Sequence, residues 1–325
     1  MIKAPIKFNP ILQEKIWGGT KLLDVLHKKS AVQSNTIGES WEISTVENAV
    51  SVVAEGAYQG KTLLDLVKQF PKDLLGEKVV KQFPNEFPLL IKYIDAKQDL
   101  SVQLHPNDAL AKKRHNSYGK TEMWYVIQAD KDAKIIVGFK EKVDTKTYKK
   151  YLEEGKILDI LNTEKAQKGD VYFIPTGRVH AIGAGVLLAE IQQTSDITYR
   201  IYDWERKDKD GNSRDLHTNE ALDALDFKVY DSYKTSYSVK ENESQKIVEC
   251  GYFTTEIISV IGSVKKDFTK RDSFTIFMNV SGAAEIRYDN QKMSVNYGET
   301  VLIPNCLNHL EIVSTNKAEL LEVYI

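Results

Sequence analysis

The sequence predicts a mainly β fold with a few inserted helices, and three observations carry that expectation. Runs rich in β-branched and aromatic residues, bounded by Gly, Pro, Asn and Asp, recur along most of the 325 residues. From about residue 240 onward the pattern is nearly all strand. A spaced trio occurs twice, as Gly169, Pro175, His180 and again as Gly298, Pro304, His309. A duplicated β-barrel unit accounts for that echo, because each copy needs the same strand and bend.

Taken in order, residues 37–44 and 52–54 read as early strands. Thr62 and Asp65 have capping-box spacing, and Leu63, Leu66, Val67 and Phe70 continue it as a helix. Residues 87–95 read as a strand, with residues 100–105 as its expected neighbour. Residues 112–119 are polar, lack an apolar period, and read as a loop with at most a helical turn. Residues 144–161 place Tyr148, Tyr151, Leu152, Ile157, Leu158 and Leu161 at helical spacing, a surface helical pair. Strands resume at Val171 and Val186, and residues 218–225 read as one more short helix. The expected division is a domain over 1–240, with helices inserted at about 61–85 and 144–165, followed by a smaller β domain over 241–325.

Composition excludes several classes of function. A formal net charge of −2 and a pI near 6.4 give no bulk electrostatic case for nucleic acid or an anionic membrane. Cys250 and Cys306 have neither the number nor the spacing of a disulfide framework. The N-terminus lacks the apolar core of a signal peptide, and no apolar run approaches a membrane span. A cytoplasmic protein, monomeric or weakly dimeric, is the expectation.

The chemistry concentrates in the first domain. Gln103 and His105 are two apart in an alternating stretch, so they share one strand face. Glu122 opens the strand-like run Glu-Met-Trp-Tyr-Val-Ile, and His180 follows a Pro-x-Gly bend. Two imidazoles and a carboxylate suit a catalytic zinc site with an open position, and they equally suit non-haem iron. Gln103 is either a fourth ligand or a hydrogen-bond partner of one. Lys92, Lys120 and Arg200 lie on or beside the same strands, and cations near a metal call for an anionic substrate, a phosphate or carboxylate. The bland readings stand beside these. His27, His115 and His217 are expected to be core or surface residues, and His309 structural. Trp17, Trp41, Trp124 and Tyr199 are expected to pack in the core or at the rim.

The trio ending in His180, with its Pro-x-Gly bend, resembles the second motif of the cupin superfamily, whose members are double-stranded β-helix barrels. Two such barrels are then expected here, the second without metal partners. The resemblance becomes specific in the stretches beginning at Ile16 (Ile-Trp-Gly-Gly-Thr), Gly38 (Gly-Glu-Ser-Trp-Glu) and Leu100 (Leu-Ser-Val-Gln-Leu-His-Pro-Asn-Asp). It continues at Gly119 (Gly-Lys-Thr-Glu-Met-Trp-Tyr), Pro175 (Pro-Thr-Gly-Arg-Val-His-Ala-Ile-Gly) and Gln192 (Gln-Gln-Thr-Ser-Asp-Ile-Thr-Tyr-Arg-Ile-Tyr-Asp). Together these resemble the short bacterial form of the type I mannose-6-phosphate isomerase (phosphomannose isomerase) family. The resemblance implies one zinc per chain, on Gln103, His105, Glu122 and His180. It implies interconversion of mannose 6-phosphate and fructose 6-phosphate through a cis-enediol. Arg200 and Lys120 would then be catalytic, with Lys92, Ser101 and Asp196 also touching substrate. Asp196, Lys120 and a metal-bound water all remain open as the proton carrier. A metal-dependent cupin oxygenase and a non-catalytic sugar-phosphate binding protein are the alternatives.

Overall fold

The computed structural model describes residues 2–30, 34–208 and 210–325. Its architecture is mainly β, and all the strand pairings within its sheets are antiparallel. A six-stranded sheet runs in the spatial order Ile11–Gly19, Ile37–Ile43, Leu89–Ala96, Val186–Gln193, Glu122–Ala129, Val171–Ile174. A five-stranded sheet runs Tyr199–Tyr202, Val102–Leu104, His180–Ile182, Lys134–Phe139, Leu161–Lys165. A third sheet, of seven strands, spans Gln245–Glu249 to His309–Tyr324. Among the described residues, no helix is long and apolar enough to cross a membrane.

The central strands of the six-stranded sheet, Leu89–Ala96 and Val186–Gln193, are buried on both faces, which explains their continuous apolar runs. Ile94, Trp124, Val126 and Leu188 pack with Val137 and Ile182 of the five-stranded sheet in one cluster. Their alternates Ile91, Tyr93, Tyr125, Ala189 and Ile191 pack instead with Ile257, Ile276, Met278, Leu302 and Val323 of the third sheet. Residues of opposite parity along each strand therefore serve two different cores. The helices Leu63–Gln69, Pro71–Leu75 and Glu77–Gln82 insert Leu66, Leu74 and Val79 into that second core. The Thr62–Asp65 capping box forms as expected, with Asp65 N donating to Thr62 Oγ1 at 3.1 Å and Thr62 N to Asp65 Oδ2 at 2.9 Å.

Several expectations are corrected. Residues 100–105 do not pair with the Leu89–Ala96 strand, whose neighbours are Ile37–Ile43 and Val186–Gln193. The turn after Ala96 instead carries the chain across to the facing sheet, where Leu100 N donates to Ile182 O at 2.8 Å. The stretch 112–119, read as a loop, begins inside the helix Asp108–His115, of which only Ala111 is buried. Such a helix has no apolar stripe to read. Its caps define it, with Asn107 Oδ1 accepting from Leu110 N and Asn116 closing the end in the left-handed region. Residues 52–54 contribute isolated bridges at Val52 and Val53 rather than a strand. The strand Ile11–Gly19 was not foreseen, because only its last three residues are buried.

The repeated trio takes the same place twice, ending a short strand at Pro175 or Pro304 and opening the next at His180 or His309. His180 turns into the barrel, while His309 is exposed beside Asp267. In the second copy Leu310 and Ile312 take the inward positions. The strand is shifted by one residue in phase, which sends every side chain to the opposite face.

A buried ion pair joins the six-stranded sheet to the third sheet. Lys28 Nζ lies 2.7 Å from Glu42 Oε2 and donates to Gly298 O at 2.6 Å, while Ser40 Oγ donates to Glu42 Oε1 at 2.5 Å. Removing one partner of a buried pair strands the other charge. Glu42→Ala is therefore expected to lower stability by about 3 kcal/mol, measured by chemical denaturation. The double variant Lys28→Met/Glu42→Leu is expected to lose less. Equal losses in both would remove the ion pair as the cause.

Candidate metal centre

Each sheet presents a row of polar side chains to the other. In the five-stranded sheet, Arg200, Gln103 and His180 stand directly opposite one another on three adjacent strands. In the six-stranded sheet, Trp41, Lys92, Glu190 and Trp124 form the facing row on four adjacent strands. Lys92 Nζ lies 3.2 Å from Glu190 Oε1 and sits over the Trp41 ring, while Trp124 Nε1 donates to Glu190 Oε2 at 2.9 Å. The Trp124 ring meets His180 edge-on, with centroids 5.2 Å apart, and so links the rows.

His105, Glu122 and His180 converge where the rows meet, all buried, with their ligand atoms within 4.8 Å of one another. His105 Nε2 is 3.5 Å from Glu122 Oε2, and His180 Nε2 is 3.5 Å from Glu122 Oε1. Backbone carbonyls set both tautomers. Ile197 O lies 2.8 Å from His105 Nδ1, and Arg178 O lies 2.9 Å from His180 Nδ1. A carbonyl only accepts, so each Nδ1 carries the proton and each Nε2 turns a lone pair inward. Among the described residues, Glu122 Oε1 has no hydrogen-bond partner despite its burial. Two imidazole nitrogens and a carboxylate this close together form a donor set that fits a divalent metal ion.

Burial explains the electrostatics. It pushes His180 down to about 3 and, with Lys120 and His180 adding to it, His105 well below the ordinary imidazole value. Burial and then the Glu190 carboxylate raise Glu122, with Lys120 and Lys92 opposing. For Lys92, burial works against the charge, but Glu190, Glu39 and Glu122 outweigh it and hold the ammonium above its ordinary value. Glu190, buried as deeply, is held below the usual carboxylate value by Lys92 and Lys120.

A cavity of about 410 Å³ opens onto this centre. Lys92, Ser101, Gln103, Lys120, Asp196 and Arg200 all line it, as does His180, with His105 and Glu122 behind. Lys120 Nζ is 3.1 Å from Glu122 Oε2 and 3.3 Å from His105 Nε2. The helix missed in the sequence holds its turn in place. Asp108 Oδ1 accepts from Gly119 N at 2.8 Å and from Gln193 Nε2 at 3.0 Å. A Cβ on Gly119 would lie 2.7 Å from Asp108 N, so only glycine fits there. Gln103 turns its amide nitrogen toward His180 Nε2, at 3.5 Å, and its oxygen toward Ser101 Oγ, at 3.1 Å. Ser101 Oγ also accepts from Arg200 Nε at 3.3 Å.

Sequence reasoning missed Glu39, Glu190, Lys15 and Arg214, which line the same cavity. A signal existed for Glu190, a lone charge in the apolar run Val186–Gln193, of the kind that singled out Lys92. The cations are accordingly met in part by the protein's own carboxylates. Five cationic side chains (Lys15, Lys92, Lys120, Arg200, Arg214) and three carboxylates (Glu39, Glu190, Asp196) line the cavity, and behind its wall Glu122 pairs with Lys120 and Asp203 with Arg214. Trp17, Trp41 and Trp124 line its walls, Trp17 and Trp124 as members of the core cluster between the two sheets, and Tyr199 packs in another core, as expected of core or rim residues.

A family model described as phosphomannose isomerase type I, catalytic domain, matches residues 6–141, and one described as mannose-6-phosphate isomerase, cupin domain, matches residues 243–325. The chain is 34% identical over 319 residues to mannose-6-phosphate isomerase ManA of Bacillus subtilis, covering 96% of each protein. It is 33% identical over 322 residues to the mannose-6-phosphate isomerase of Streptococcus mutans, covering 97% of this chain and 99% of that one. The crystal structure of the mannose 6-phosphate isomerase from Bacillus subtilis matches with a TM-score of 0.89 at 31% identity, over 99% of this chain and 100% of that one. A variant of phosphomannose isomerase from Salmonella typhimurium matches with a TM-score of 0.81 over 98% of this chain and 99% of that one. At 18% identity, that last likeness shows the fold alone.

The buried histidines carry a pH dependence of stability. An unfolded chain protonates its imidazoles near pH about 6.5. The folded chain keeps His180 neutral down to about 3. This contribution is therefore complete above about pH 6.5 and is lost as the pH falls from there toward the folded value. Denaturation midpoints of chelator-treated protein are expected to drop between about pH 7 and about pH 5, and to drop less in His180→Gln. Identical drops in parent and variant would show that His180 is not responsible.

Proposed function

The chain belongs to the type I phosphomannose isomerase family, and from that premise we propose that it interconverts mannose 6-phosphate and fructose 6-phosphate at a single zinc ion. The observation that carries this reading is the buried His105–Glu122–His180 centre, whose own carboxylate Glu122 a metal ion would neutralise, beside a cavity lined by Lys92, Lys120 and Arg200. A phosphorylated sugar supplies the matching anion. An oxygenase would have no use for those cations.

The chain's residues divide the work. His105 and His180 offer their Nε2 lone pairs, and Glu122 offers the negative charge that a dication requires. Gln103 joins them by turning its amide over, which exchanges oxygen for nitrogen at the same place. Ser101 can follow that turn, since its hydroxyl both donates and accepts. A zinc ion on these residues would supply a Lewis acid to the oxygens of the open-chain sugar. Lys92, fixed as an ammonium by Glu190, adds positive potential where a cis-enediolate develops. Arg200, reaching Ser101, neutralises oxyanion charge or grips the substrate. Of the chain's own groups, Asp196 and Lys120 line the cavity and are the candidates to carry the proton between C1 and C2.

Purified protein incubated with mannose 6-phosphate is expected to form fructose 6-phosphate in a coupled assay, to stop with chelator and to recover with zinc. No product with zinc restored would sink the reading. Glu122→Gln is expected to lose both bound zinc and turnover, measured by metal analysis and the same assay. Whichever of Lys120→Met and Asp196→Asn removes the proton carrier is expected to lower kcat by about 100-fold or more with zinc retained. Near-parent rates in both would exclude these two side chains from that role.

A further inference from the structure

Arg200 lies on the Tyr199–Tyr202 strand, at the edge of the five-stranded sheet, with Val102–Leu104 as its one neighbour among the described residues. It stands opposite Gln103, yet its own N–H and C=O turn away from that neighbour toward the open edge. Pairs of this kind bring their side chains closest together, which puts the Arg200 guanidinium beside Ser101 and Gln103. They also leave an edge peptide that needs a partner. His217 supplies one on both sides. Its backbone N donates to Arg200 O at 2.7 Å, and its imidazole Nδ1 accepts from Arg200 N at 3.1 Å. Two residues earlier, Asp215 O accepts from Arg200 Nη1 at 2.9 Å. His217 also precedes the helix Thr218–Ala224, where a side chain commonly caps the first turn, but it makes no such bond. The imidazole is committed to the strand instead.

We propose that His217 is a positioning residue for Arg200, standing in for the absent next strand and holding the guanidinium at the cavity. Nδ1 accepts only in the neutral imidazole with the proton on Nε2, so this tautomer is part of the device. The effect on turnover rests on the isomerase reading, whereas the effect on the strand does not.

His217→Ala and His217→Asn test it in the zinc-loaded protein. Asn can present an acceptor oxygen close to the position of Nδ1. In His217→Ala, hydrogen exchange of the peptide covering residues 199–202 is expected to accelerate, and kcat to fall about 10- to 100-fold with full zinc content. In His217→Asn, rate and protection are expected to stay together near the parent values. Should His217→Ala keep parent exchange and parent kcat, the proposal is overturned. Loss of kcat with parent protection at 199–202 overturns it too. Accelerated exchange in a protein whose parent forms no fructose 6-phosphate would uphold the positioning and discard the isomerase reading.

Discussion

Charge buried between two sheets is the constraint on which the rest of this structure depends. Lys92, Lys120, Glu122 and Glu190 are each no more than 5% exposed. An ion taken out of water carries a penalty of several kcal/mol unless it is paired and hydrogen-bonded. The cross-strand register meets that need. Lys92 and Glu190 face each other on adjacent strands, with the Lys92 ammonium over the Trp41 ring at one end of the row and Trp124 donating to Glu190 at the other. Glu122 is less complete, since among the described residues its Oε1 has no hydrogen-bond donor and its Oε2 only the nearby Lys120 ammonium. A buried carboxylate left in that condition is where a cation belongs.

The supports of this centre reach well beyond it. The carbonyls of Ile197 and Arg178 orient the two imidazoles, and both lie in irregular backbone just outside the strands. Gly177, at a φ of +82° that glycine adopts without strain, donates from its N to His105 O and so ties one ligand's strand to the bend that delivers the other. Behind the six-stranded sheet, the third sheet and the helices cover the opposite face. The strands that hold Lys92, Glu122 and Glu190 are thereby gripped from both sides. A site that must hold a metal to within a fraction of an ångström gains from such backing.

The duplicated trio shows how little separates a centre from a plain barrel. Both copies have the glycine turn, the strand and the proline. A one-residue change of phase puts His180 inside and His309 outside, and the second barrel fills its interior with Phe277, Ile286, Val301, Ile312 and Leu320. Equal spacing in sequence did not make equal sites.

The sequence by itself determined what local pattern can determine. Alternation placed Gln103 and His105 on one face, strand composition placed Glu122 at a strand start, and the capping box opened its helix where expected. Lys92 was conspicuous because a charge in an apolar strand has no local explanation. Only the tertiary structure decided which strands face each other. Residues 100–105 crossed to the other sheet because the turn after Ala96 bonds to Ile182, a partner 82 positions from Leu100 that no local period encodes. The same holds for Glu190, Arg214 and the grip of His217 on Arg200. Periodicity reports which face of a strand is buried, whereas the partner across the barrel depends on how the sheets close.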